Sequence, residues 1–161
     1  MQTSIRLVDF LPENTGVTLV PFQAAHLSVM KISPDQRRTV SRAISFEQQM
    51  QMQAQMGHAI TAILHGKPVA CFGVVDIWQG VAEMWLLIEE RGRKAPIAMT
   101  KIAIAYRDFI VIAKNLHRLQ ITVKCSDKRA FGWAKLIGFT EEGIMKCYDS
   151  NANDFYLMSR T

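Results

Sequence analysis

At 161 residues, 49% of them hydrophobic, the chain suffices for one domain with a core of ordinary size and little more. No apolar run reaches the roughly eighteen residues needed to span a bilayer, and the opening M-Q-T-S-I-R-L-V-D-F lacks the basic stretch and apolar core of a signal peptide; both point to the cytoplasm. Lys and Arg number 19 against 14 Asp and Glu, a net charge of +5 that favours an anionic ligand, yet the basic residues are spread along the chain without a zinc-finger or RNA-binding signature, which argues against nucleic acid.

Residues 1–16 read as an N-terminal arm or extra strand, with an extended piece from Ile5 to Phe10, and the domain proper as 17–161. Val17 to Pro21 is the first strand. Helical patterns follow from Ala24 to Lys31 and, with Ser33 as cap and Pro34 in the first turn, on to Met56; Val40, Ala43, Ile44, Glu47 and Met50 fall at helical spacing in the second. Ala59 to Leu64, Val69 to Asp76 and Val81 to Ile88, separated by the breakers H-G-K-P and I-W-Q-G, form an antiparallel meander. Pro96 opens a long helix to about Lys114. A strand from Leu119 to Cys125, a helix capped by Asp127, a strand from Thr140 to Tyr148 and a last strand from Phe155 to Ser159 complete the chain.

The most informative stretch is His117 to Phe139, H-R-L-Q-I-T-V-K-C-S-D-K-R-A-F-G-W-A-K-L-I-G-F. A strand ends there in Ser126-Asp127 and opens directly into a helix that packs through Ala130, Trp133 and Ile137, the kind of junction where open α/β sheets bind ligands. Cys71, Cys125 and Cys147 are odd in number and lie in predicted strands, which favours buried, reduced thiols. His58 and His65 have no Cys or carboxylate at ligand spacing, so no metal site is expected.

This junction, the closing G-F-T-E-E-G-I-M-K-C-Y and D-F-Y-L-M-S, and the pair H-G-K-P-V-A-C-F-G-V-V and G-V-A-E-M-W-L-L-I resemble the GNAT superfamily of acyl-CoA N-acyltransferases over about Val17 to Arg160. The closing hairpin is similar to that of enzymes acetylating ribosomal-protein N-termini, and A-Y-R-D-F to reduced GNAT-like proteins of short-tailed phages, an internal virion protein among them. The resemblance implies a single mixed α/β domain with a central, mostly antiparallel sheet and helices on both faces. It also implies an acetyl-CoA-dependent N-acyltransferase acting on an amine of a protein or small molecule. The alternative is a non-catalytic virion or host-interaction protein that keeps the fold. A homodimer or a virion partner would suit either.

In this family the fourth and fifth strands splay apart, the acyl thioester enters the gap, and the next helix N-terminus takes the pyrophosphate. That assigns the thioester carbonyl to backbone N–H groups at Leu86, Leu87 and Ile88, and the coenzyme further to Arg91, Gly92, Arg93, Lys94, Ala95, Ser126, Asp127, Ala130 and Trp133. The phosphate loop itself, Glu90 to Pro96, keeps only Gly92 of the family's glycines, and Pro96 has no N–H; Arg91, Arg93 and Lys94 either compensate by charge or form a solvated basic loop. Glu83, an acid within an otherwise apolar strand, is the candidate general base, with a solvent-facing glutamate as the competing reading. Asp127 is either a catalytic residue or a helix cap. Ala134 stands where the family often has a tyrosine acid, so that role is vacant. Trp78, Trp85 and Trp133 are candidates to line an acceptor pocket, Trp133 being equally a core residue.

Overall fold

Three strands with short connections organise the computed structural model, which describes residues 5–38 and 43–161. β2 (Gly57–Leu64) passes into β3 (Lys67–Trp78) through His65 and Gly66, both at positive φ (50° and 75°). Two such residues make the tight turn whose twist matches an antiparallel pair. β3 continues through Gln79-Gly80 into β4 (Val81–Ile88). With β1 (Val17–Pro21), β5 (Arg118–Lys124), β6 (Thr140–Met145) and β7 (Phe155–Arg160), they form a seven-stranded sheet of order β1-β2-β3-β4-β5-β7-β6. Every pairing is antiparallel except β4 with β5. The meander and the closing hairpin thus follow the sequence expectation.

Alternation along the strands divides the core in two. On one face Phe72, Val74, Met84, Leu119, Val123 and Met158 pack with Ile102, Tyr106 and Ile110 of the long helix α4, Pro96–Ala113. On the other face Cys71 and Leu87 meet Phe22, Leu27 of α1 (Ala25–Val29), Met30, and Phe46 and Met50 of α2 (Phe46–Gln55). Each such large apolar side chain contributes roughly 1.5–3 kcal/mol by leaving water. Gly73 makes one contact possible: a Cβ there would lie 2.2 Å from the Trp85 ring, so the indole lies against bare backbone.

Several helical expectations are corrected. Among the described residues, the pattern taken from Pro34 to Met56 is helical only at α2, whose N-terminus Ser45 fixes with a reciprocal cap. The Ser45 hydroxyl accepts from Gln48 N–H, and the Gln48 side chain accepts from Ser45 N–H. Residues 34–36 form a turn instead, and Val40 lies outside the described residues. α1 is shorter than Ala24 to Lys31. Ile5 to Phe10 is not extended: Leu7–Phe10 is a 3₁₀ turn that sets Phe10 edge-on to Phe109 of α4, at 5.9 Å between ring centres. Of the cysteines only Cys71 is buried; Cys125 is partly covered, and Cys147 is exposed, past the end of β6, in a left-handed conformation. No described helix is long and apolar enough to cross a membrane.

Candidate active site between two parting strands

β4 and β5 are paired only at Val81 with Arg118, Ala82 with Leu119 and Glu83 with Gln120; beyond that rung they separate. Glu83 therefore sits at the base of a gap. Gln120 Nε2 donates to its Oε2 at 2.9 Å. Because side chains alternate, Glu83 shares the face of Leu87, while Gln120, Thr122 and Lys124 of β5 point the same way, opposite Leu119 and Val123. The gap thus has a polar wall on the α1 and α2 side.

The Tyr148 phenol belongs to this wall. Its ring packs 5.3 Å from that of Phe155, and Arg38 lies 4.5 Å over the same Phe155 ring. Partial burial pushes the Tyr148 hydroxyl up, the negative charge of Glu83 adds to this, and Arg38 opposes it. Ala134 is buried on α5 (Lys128–Leu136), so the position where a tyrosine was expected supplies no acid.

Backbone direction separates the three expected carbonyl donors. Glu89 N–H donates to Val69 on the β3 side, so Ile88 N–H, one residue earlier, faces the gap. By the same alternation Leu86 faces the gap and Leu87 faces β3. Ile88 is already engaged: its N–H donates to Gln36 Oε1 and its carbonyl accepts from Gln36 Nε2, both at 2.9 Å.

The expected phosphate loop is wound into a helical turn, α3 (Glu90–Arg93). The N–H groups of Arg93, Lys94 and Ala95 donate to the carbonyls of Glu89, Glu90 and Gly92, which removes them from a phosphate cradle. Gly92 is required by packing, since a Cβ would lie 2.8 Å from both Ile88 Cγ1 and the Val69 carbonyl oxygen. Arg91 is paired with Glu89, a carboxylate that also accepts from Lys31 N–H at 3.0 Å. Burial works to raise the Glu89 carboxyl, but these two partners outweigh it and hold the group below the usual range. Those three N–H groups are therefore not offered to a phosphate, and Arg93 and Lys94 remain as charge.

At the strand-to-helix junction Asp127 is the N-cap of α5, accepting from Ala130 N–H at 2.9 Å. That bond consumes the N–H of Ala130, a residue expected at the coenzyme. Ser126 is exposed beside it. Two contacts tie α5 to the preceding elements: Trp133 Nε1 donates to Thr100 Oγ1 at 2.9 Å, and Arg129 donates to the Arg93 carbonyl at 3.2 Å. Of the other two tryptophans, Trp85 lies two residues from Glu83 on the same face of β4. Trp78 is 75% exposed at the end of β3, and Trp85 packs edge-on to Phe22 with its Nε1 buried and without a hydrogen-bond partner in the structure. A hollow of about 550 Å³ beside Trp78, lined also by Gly80 and Lys114, lies at the opposite end of β4 from the gap.

The gap brings Glu83, Leu86 and Ile88 together with Gln120, Tyr148, Gln36 and Arg38, and with Asp35, which meets Lys124 at 3.1 Å. The alternation L-Q-I-T-V-K was a usable signal for Gln120. Nothing local marks Gln36, whose partner is 52 residues away.

No protein-family model matches the sequence, and no curated protein does. Solved structures match closely in shape. An alanine acetyltransferase of a ribosomal protein from Vibrio fischeri is 15% identical with a TM-score of 0.71, over 92% of this chain and 94% of that one. A spermidine N-acetyltransferase variant from Vibrio cholerae is 14% identical with a TM-score of 0.72, over 91% and 94%. A GNAT-family acetyltransferase from Streptococcus pneumoniae is 18% identical with a TM-score of 0.68, over 89% and 98%. Parting parallel strands at the centre of a mostly antiparallel sheet, and this agreement over nearly the full length of each chain, show that the protein has the GNAT acyltransferase fold.

Proposed function

We propose that the protein is an acyl-CoA-dependent N-acyltransferase, with acetyl-CoA as co-substrate and an amine of a protein or small molecule as acceptor. The observation that carries this reading is the parting of β4 and β5 immediately beyond the Glu83–Gln120 rung. An amine entering from the α1 and α2 side meets a carboxylate already oriented by Gln120. As the amine nitrogen bonds to the thioester carbon, Glu83 takes its proton; Leu86 N–H faces the position where the carbonyl oxygen gains charge; the carbon–sulfur bond then breaks. The departing thiolate needs a proton. Tyr148, which burial and the Glu83 charge keep protonated, is the phenol on this face.

A thiol-release assay with acetyl-CoA and a panel of primary amines tests the proposal. Amine-dependent release supports it, and absence of release across peptides and polyamines contradicts it. The consumed N–H groups of Arg93, Lys94 and Ala95 and the Gln36–Ile88 pairing favour a second reading, a virion or host-interaction protein that keeps the fold without catalysis. That reading requires a folded protein to which acetyl-CoA does not bind.

A further inference from the structure

We propose that residues 33–38 form an internal strap that occupies the gap between β4 and β5, so that the acyl donor binds only by displacing it. This rests on the acyltransferase reading. The Gln36 carboxamide offers one donor and one acceptor, and it pairs with the carbonyl and N–H of Ile88 as a secondary-structure partner would. A backbone N–H makes one such bond, so a ligand that pairs with Ile88 and Gln36 exclude each other.

The strap reaches across the gap as well as along it. Lys124 of β5 meets Asp35 at 3.1 Å, and Arg38 covers Phe155 of β7, so Gln36, Asp35 and Arg38 touch β4, β5 and β7 in turn. Its ends are fastened elsewhere. Lys31 N–H is held by Glu89, Arg37 pairs with Glu47 of α2 at 3.0 Å, and Gln49 Nε2 donates to the Arg38 carbonyl at 2.9 Å. Between these anchors the strap itself is a turn: Gln36 N–H and Arg37 N–H both donate to the Ser33 carbonyl. Asp35 is 79% exposed, so its bond to Lys124 exchanges readily with water. The strap is thus held over the gap by contacts that a competing amide can replace.

Apparent affinity falls in proportion to the fraction of molecules with the strap displaced. Removing the Gln36 pair should raise that fraction, and two hydrogen bonds of ordinary net strength correspond to about a tenfold gain. The test is titration of acetyl-CoA into wild type and Gln36→Ala by calorimetry, with thermal melts confirming that both are folded. Tighter binding by Gln36→Ala is the expected result. Equal affinity overturns the strap and leaves the acyltransferase reading standing. No binding by either folded protein overturns both. Amide exchange supplies a further check: Ile88 N–H should lose protection in Gln36→Ala and, in wild type, should change partner when acetyl-CoA is added, whereas an Ile88 amide indifferent to the substitution contradicts the proposal.

Discussion

Gln120 donates to Glu83 at 2.9 Å across the last rung that joins β4 to β5, so the one acid at the base of the gap is oriented by a residue 37 positions later in the chain. If Glu83 accepts the amine proton, Glu83→Gln should lower turnover by about a hundredfold to ten-thousandfold with little change in melting temperature. Gln120→Ala, which removes the orientation and leaves the acid, should cost less, about tenfold, mostly in kcat. Thiol release and thermal melts on both variants check this. Near-normal turnover in Glu83→Gln removes the residue from the mechanism.

Asp127 should behave in the opposite way. Its carboxylate caps α5 through Ala130 N–H, and loss of such a cap costs about 1 kcal/mol. Asp127→Ala should therefore lower the melting temperature and spare turnover per folded molecule; Asp127→Asn, which can still accept from Ala130, should restore most of the stability. A variant that melts normally but has lost activity would make Asp127 a participant in the chemistry.

The strands that border the gap were legible from periodicity and connection length, whereas their parting was given only by the family resemblance. β4 has the bounds expected, Val81–Ile88, and the helix after it is long enough to bring a parallel neighbour alongside. Asp127 was readable as a cap for the same reason, since its partner is three residues away. What failed was the segment from Pro34 to Met56, where the helical pattern was taken to begin at Pro34, although the N-terminus of α2 is set at Ser45 by its reciprocal bonding with Gln48. The strap was hidden with it. Gln36, Asp35 and Arg38 gain their meaning from Ile88, Lys124 and Phe155, contacts that no local pattern encodes.

Gly73 and Trp85 should be coupled. A Cβ at 73 would meet the indole at 2.2 Å, so Gly73→Ala should destabilise by about 1–3 kcal/mol as the ring is forced from its place. In Gly73→Ala/Trp85→Leu the cost should be less than the sum of the single changes, because the smaller side chain removes the clash. Denaturant midpoints for the four proteins of the cycle give the coupling, and simple additivity contradicts the contact.

Acid should weaken the tie that runs from β5 across β7 to β6. The Arg118 guanidinium, with help from the Ser159 hydroxyl, holds the Glu142 carboxyl at about 2, below its ordinary 4.5. A carboxyl depressed in the folded state contributes stability that is complete above about pH 4.5 and is lost as the pH falls toward 2. Glu142→Gln should therefore be less stable at neutral pH and show a shallower decline across that window. Chemical unfolding at several pH values checks this; parallel declines in the two proteins would show that the pair does not govern it.

The central claim is that the gap between β4 and β5 takes an acyl-CoA, and the most direct measurement is calorimetric titration of acetyl-CoA into the folded wild-type protein at low and at physiological salt. With the N–H groups of Arg93, Lys94 and Ala95 consumed, attraction to the phosphates rests largely on the charges of Arg93 and Lys94, and charge attraction of this kind is screened by salt. Saturable binding of one molecule per chain, weakening markedly at the higher salt, is the expected result. No heat of binding at either salt, from a protein that melts cooperatively, would contradict it.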